Sequence, residues 1–402
     1  MVICTGAVQL ASAIAAMWST SGRSERNRTC ENHLLIHDLA APAEQREEFA
    51  ACIRTLAEQV EKWKSIQYVQ PPTVPEFQAA MRRPSVPSMQ ALADIFDIHA
   101  CDELYVGQVE KPFSVAMRCL LSGSRQISYG DGIALNFSNI YYNPREFHKG
   151  KLRRYGKRAI AQLKVQWKRL RGRPFTPIYA PPKPDEYRLL LKNMFDQRLS
   201  DVGSLDPELF VELFNSFATH LPDQAPVADE QLRELEQHAG SNVALLTSNF
   251  AETGRTSLDG EVDGYLQLLD QLPQGDGVAL IIKPHPRDSY EKIDRIKAAA
   301  SARYERTICL NDPWTFYLPF ESLYAKYLAA SQRPTYVASV SSACISLELL
   351  YGQECLLGFG ENFVEREFVP LWAPLRQVHE ADLQRIVRSI RKQNSIRPRQ
   401  AA

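Results

Sequence analysis

The sequence has no excess of charge. Its 47 Lys and Arg offset 47 Asp and Glu over 402 residues, so net charge singles out no polyanionic partner. It also has no apolar run of the ~18 residues that a bilayer-spanning helix requires. The opening MVICTGAVQLASAIAAMW is apolar, but it lacks a basic start and is interrupted by Thr5-Gly6 and Gln9. It therefore predicts a strand over Val2–Thr5, a turn at Gly6 and a helix from about Val8, not a cleaved leader. None of the eight cysteines sits in a CxxC or in a Cys/His cluster of zinc spacing, which argues against a structural zinc or a dithiol redox site. Buried free thiols in a reducing cytoplasm are expected. There is no GxGxxG and no GxxxxGK[ST], so dinucleotide dehydrogenases and P-loop ATPases lose ground. No DxD sits at a strand end.

What is present is a long alternation of apolar runs with helical patterns, which argues for parallel sheets with crossover helices. MVICT, HLLIHDL, IQYVQ, DELYVG and RQISYG read as strands, with a helix through EQREEFAACIRTLAEQVEKW. The proline-rich 174–187 reads as irregular, and the helical pattern after it is interrupted near DVGSLDP. A second series begins at VALLTSN and runs through VALIIK, TICL, TYVASV and ECLLGFG, with helices between. A helix is expected over about 263–271, and a frayed basic tail at the end. The length suits two domains of roughly 150–200 residues, placed at 1–235 and 236–402. Two Rossmann-like halves facing across a cleft aim their strand ends at one crevice, where ligands bind.

Three segments carry chemistry. In IIKPHPRD, His285 follows a buried strand and is fenced by Pro284 and Pro286, which fix φ on both sides of it. A pre-set imidazole loses little entropy on meeting a ligand, and Lys283 and Arg287 favour an anion. An ordinary turn with a surface histidine is the plainer alternative. In YVASVSSACISLELLYG, Ser339, Ser341 and Ser342 cluster where a strand meets a helix. One serine suffices to cap; three hydroxyls beside free helix N–H groups suit a phosphate. In RQISYGDGIALNF, Asp131 ends a strand between Gly130 and Gly132, which would let a substrate approach the carboxylate; a simple DG turn is the alternative.

Taken in order, Gly130-Asp131-Gly132, His285-Pro286 and Ser341-Ser342 resemble the acidic-Gly, His-Pro and Ser/Thr motifs of bacterial sialyltransferases and polysialyltransferases. TGAVQL, DELYVG, KPHPRD and PFE (319–321) are similar to that family too, so the resemblance covers about 1–365. It implies a GT-B fold and inverting transfer of sialic acid from CMP-sialic acid to a glycan acceptor in surface polysaccharide biosynthesis. No cofactor or metal is implied. It gives Asp131 the role of base and His285 that of assisting the departing phosphate. Lys283, Pro286, Glu321, Ser339, Ser341 and Ser342 would bind the nucleotide; Gly6, Gln9, Gly130 and Gly132 would meet substrate. The sequence departs from the pattern at Gly130, where the family has a first acidic residue. A rival carboxylate lies in LDGEVDGY, at Asp259, Glu261 or, foremost, Asp263. CMP-Kdo or another CMP-nonulosonate as donor, and a non-catalytic CMP- or anion-binding protein, remain alternatives. So does an epimerase or phosphorylase on the same plan.

Residues 149–173 hold eleven Lys or Arg and no acidic residue, with apolar positions near helical spacing. A basic amphipathic helix suits an anionic membrane surface, with an anionic glycan or a solvated face packed on its own domain as alternatives, so a cytoplasmic enzyme peripheral to the membrane is expected. No reading motif supports nucleic acid.

Overall fold

Short β-branched and aliphatic runs buried on both faces are what a parallel sheet covered by helices demands, and they build two such sheets here. The computed structural model describes residues 1–21, 30–37, 43–69, 86–138, 182–192, 194, 202–237, 240–331 and 333–396. The first sheet comprises β1 (Val2–Cys4), β2 (His33–His37), β3 (Ser65–Val69), β4 (Glu103–Val106), β5 (Arg125–Gly130), β6 (Glu186–Leu189) and β7 (Val202–Ser204). Its order is β3-β2-β1-β4-β5-β6-β7, and every pair is parallel. The second comprises β8 (Ser241–Leu246), β9 (Gly275–Lys283), β10 (Tyr304–Cys309), β11 (Thr335–Ser339) and β12 (Cys355–Leu357), in order β10-β9-β8-β11-β12, again all parallel.

Both orders reverse direction once, between β1 and β4 and between β8 and β11. Such a switch point leaves a crevice at the carboxyl ends of its strands. The two crevices face each other, giving the GT-B arrangement. One apolar cluster runs through both halves, from Leu10, Ile14 and Phe214 to Phe316, Leu323 and Ile345. Phe49 stacks on Tyr317 across the boundary, with ring centroids 4.7 Å apart.

Four expectations change. β6 begins inside the stretch read as irregular, because Ile127–Gly130 offers it a parallel edge. DVGS forms β7 on β6. The helix expected near 263–271 is Leu258–Leu269, started by Ser257, whose hydroxyl accepts from Gly260 N–H at 3.0 Å. The tail expected to fray is, as far as Ile396, the end of a helix over Ala373–Ile396, held by buried Leu383, Ile386, Val387 and Ile390, and 397–402 lie outside the described residues. The division expected at 235–236 falls in the last turn of the helix Pro226–Gln237, and the second sheet starts at Ser241. The basic segment 149–173 lies outside the described residues. Among the described residues no helix is long and apolar enough to cross a membrane.

Candidate active site

A cavity of about 430 Å³ opens between the two sheets, lined by the residues that leave the carboxyl ends of β1, β5, β8, β9 and β11. From the first half come Thr5, Gly6, Gln9 and Asp131; from the second come Thr247, Lys283, His285, Pro286, Glu321, Ser341 and Ser342. The acidic, histidine and serine motifs, far apart in the chain, thus meet in one cleft.

His285 is held by its backbone and its ring. Its N–H donates to Thr247 Oγ1 at 3.0 Å and to Asp288 Oδ2 at 2.9 Å. Its Nδ1 accepts from the Arg287 N–H at 3.1 Å. Burial lowers its pKa to about 3, and Arg287, Lys283 and Lys292 push the same way. The imidazole is therefore neutral near pH 7. With Nδ1 accepting, the ring proton belongs on Nε2, the tautomer that donates.

Behind the histidine lies a buried charged network. Lys292 donates to Asp288 Oδ1 at 2.7 Å, Glu252 Oε2 at 2.8 Å, Glu261 Oε1 at 3.2 Å and the Ser248 carbonyl at 2.6 Å. Thr247 donates to Asp288, and Tyr265 to Glu261 at 2.8 Å. A buried charge needs partners of this kind. Burial raises the Asp288 carboxyl to about 6 against the opposing pull of Lys292.

Lys283 is buried at the cavity floor and donates to the Pro284 carbonyl at 2.9 Å and the Phe316 carbonyl at 2.8 Å. Burial lowers its pKa to about 8, although Asp288, Glu321 and Asp312 draw it up. Glu321 accepts from the Ser346 hydroxyl and is raised by burial, with Lys283 lowering it and Asp131 raising it. Asp131 accepts from the Ile133 N–H at 3.0 Å, and burial raises its carboxyl above the usual range.

At the serine turn, Ser341 N–H donates to Ser339 Oγ at 3.2 Å, and Ala343 N–H to Ser341 Oγ at 3.4 Å. Ser339 is fully buried beneath the turn, while Ser341 and Ser342 reach the cavity beside the start of the helix Ala343–Tyr351.

Several expected residues lie elsewhere. Gly130 and Gly132 are not among the lining residues. Gly132 instead turns at φ +71°, and a Cβ there would sit 2.0 Å from the Leu191 carbonyl oxygen. Close backbone packing, rather than access to the carboxylate, requires that glycine. The rival Asp263 is exposed on the outside of the helix Leu258–Leu269. Asp259 is exposed and pairs with Arg295, and Glu261 is occupied by Lys292. Sequence reasoning missed Thr5, Thr247 and Ser346. Thr5 donates to Gln9 Oε1 at 2.6 Å, and Thr247 stands in the TSN that ends β8, a position at the switch point that strand order alone could have flagged. Among the described residues no group of three or more His, Cys, Asp or Glu is placed to hold a metal. All eight cysteines are free, five of them buried.

Among solved structures, the chain is similar to a UDP-GlcNAc 2-epimerase from Neisseria meningitidis bound to UDP-GlcNAc. Identity is 10% over 91% of this chain and 85% of that one, with a TM-score of 0.46. It is also similar to S. aureus MnaA in a co-structure with UDP, at 8% identity over 89% and 78% of the two chains, with a TM-score of 0.45. No curated protein matches the sequence. A family model described as alpha-2,8-polysialyltransferase matches residues 137–354, a span that takes in His285, Glu321, Ser341 and Ser342 and begins just after Asp131. Spanning more than half of the chain and both glycine-free motifs of the cleft, that match makes the protein a glycosyltransferase that belongs to the alpha-2,8-polysialyltransferase family.

Proposed function

We propose that the protein transfers sialic acid from CMP-sialic acid to a sialylated glycan acceptor, with inversion at the anomeric carbon. One observation carries this reading: Asp131 from one half and His285, Lys283 and the Ser341–Ser342 turn from the other line the same cavity. The acceptor hydroxyl oxygen attacks the anomeric carbon, its proton passes to Asp131, and the bond from that carbon to the phosphate oxygen breaks. Burial raises Asp131, which makes it a better proton acceptor than a solvated carboxylate. CMP departs as a phosphate monoester whose second pKa is about 6, so it needs stabilisation rather than a proton. The His285 Nε2–H, the Lys283 ammonium and the positive end of the helix Ala343–Tyr351 supply it. Glu321, fixed by Ser346, is placed to accept from ribose hydroxyls. The direct displacement uses no cofactor and no metal. A sialic acid donor is preferred to Kdo because the family match is to sialic acid polymerases.

CMP release from purified protein, supplied with CMP-sialic acid or CMP-Kdo and an oligosialic acid, tests the donor. Asp131→Ala and His285→Ala are each expected to reduce turnover by about 10²–10⁴-fold with the fold intact by circular dichroism. Near wild-type turnover in either variant would remove the role assigned to that residue.

A further inference from the structure

A second pocket, of about 160 Å³, adjoins the cavity on the other side of the serine turn, and Ser341 and Ser342 line both. That volume equals about five water molecules at their share of the liquid. Its walls include Phe250, Phe368, Trp372, Leu375 and Val378, and its charged residues are Arg255, Arg376 and Asp382, the last held by Ser138 and Arg385. Arg376 has its partners: it donates to Glu380 Oε1 at 2.8 Å and to the Val340 carbonyl at 2.9 Å. Arg255 differs. Its guanidinium lies over the Trp372 ring, 4.5 Å from the centroid, and its backbone is pinned by Phe250 and Val369. Yet its buried Nε has no hydrogen-bond partner among the described residues. No carboxylate pairs with it there, since the nearby Glu261 is engaged by Lys292.

We propose that this pocket is a carboxylate subsite for a sugar acid, with the Arg255 guanidinium as its anion-binding group. A stacked guanidinium holds its fork in one plane and matches a planar carboxylate with two parallel hydrogen bonds. Burial lowers the pKa of Arg255, and Arg376 and then Arg287 add repulsion, so an anion beside this guanidinium relieves it, while Arg376 is already paired with Glu380. The apolar walls suit the carbon frame of a sugar. The proposal rests on the reading above for the identity of the anion. CMP holds one phosphate, which the serine turn takes, so the remaining anion is the carboxylate of the donor sugar or of an acceptor residue.

Binding of CMP, CMP-sialic acid and an oligosialic acid is measured by calorimetry for the wild type, Arg255→Gln and Arg255→Lys, with turnover assayed in parallel. Both variants keep an aliphatic stem at 255, and their melting temperatures report whether they fold. Arg255→Gln is expected to weaken CMP-sialic acid or the oligosialic acid by tenfold or more and to leave CMP within twofold; Arg255→Lys recovers part of the loss. Weakening confined to CMP-sialic acid assigns the pocket to the donor, and weakening confined to the oligosialic acid assigns it to the acceptor. Equal weakening of all three ligands, or of none, overturns the subsite. A wild type that binds both sialylated probes through Arg255 but transfers nothing overturns the reaction and keeps the subsite. One that binds neither overturns both.

Discussion

The two walls of the cleft are held by different means. On the leaving-group side, His285 is fixed by neighbours within 247–292: Thr247, Asp288 and, through Asp288, the Lys292 network with Glu252 and Glu261. On the base side, the loop carrying Asp131 borrows support from far along the chain. Asn136 donates to the carbonyls of Gly132 and Lys192, each at 3.2 Å. Ser138 then meets Asp382 of the second half, its N–H at 2.8 Å and its hydroxyl at 2.7 Å, while Arg385 donates to the Asn136 carbonyl at 2.8 Å. The His285 end of the site is thus a property of one half, and the position of Asp131 depends on how the two halves sit together. Damage to the first should cost stability, and damage to the second should cost turnover.

Breaking the first wall gives the largest effect. Lys292→Met leaves Asp288 and Glu261 buried without their cation, and removing one partner of such a network costs ~3–5 kcal/mol. The melting temperature is expected to fall by roughly 10 °C. The sign with pH follows from burial: Asp288 and Glu261 already lie above their unfolded values with Lys292 in place, and they rise further without it. A carboxyl raised in the fold is stabilising below its unfolded pKa, and that contribution is lost as pH rises through the folded value. The deficit of Lys292→Met should therefore shrink between pH 8 and pH 5. A deficit independent of pH in calorimetry would show that lost packing, not charge, accounts for it.

Much of this contrast was legible in the sequence, and part was not. The apolar run VALIIK and the prolines around His285 announced a rigid ring at a strand end, since both signals are local. Glu261 read only as a rival base in LDGEVDGY and Lys292 drew no reading, because only the approach of the helices Leu258–Leu269 and Tyr290–Ser301 buries them together. β6 and β7 have weak strand patterns and exist through pairing with β5 and with each other, a tertiary effect that a single-sequence reading lacks. Gly132 was legible as a turn, but its purpose was not, because the Leu191 carbonyl that it must avoid lies about sixty residues on. The basic RSIRKQNS looked frayed because Ile390 is its one apolar residue, and the buried face it continues, Leu383, Ile386 and Val387, lies before it.

Acting within the first wall without unfolding it, pH itself sharpens the comparison. Burial places Lys283 at about 8, below its usual value, so the cation at the phosphate site is lost as pH rises through that point. kcat/KM reports the free enzyme and should fall above about pH 8, by roughly tenfold per unit for one essential proton. A bound phosphate holds the ammonium charged, so the alkaline limb of kcat should lie higher. A kcat/KM that stays level to pH 10 would take Lys283 out of the leaving-group role.

Ser138→Ala makes the smallest and most selective cut, on the other wall. It removes one of the two bonds to Asp382 and keeps the N–H bond, at a cost of about 1 kcal/mol typical of a single hydrogen bond. If the base loop takes its position from the second half, part of that cost appears as a loss of kcat of a few-fold. The affinity for CMP should not change, because His285, Lys283 and the Ser341–Ser342 turn, proposed above to meet the phosphate, make none of the bonds that are cut. A variant with wild-type kcat and a slightly lower melting temperature would mean that Asp131 is placed by Asn136, Gly132 and Leu191 alone. The two walls would then differ only in where their supports come from, and both would be rigid before substrate arrives.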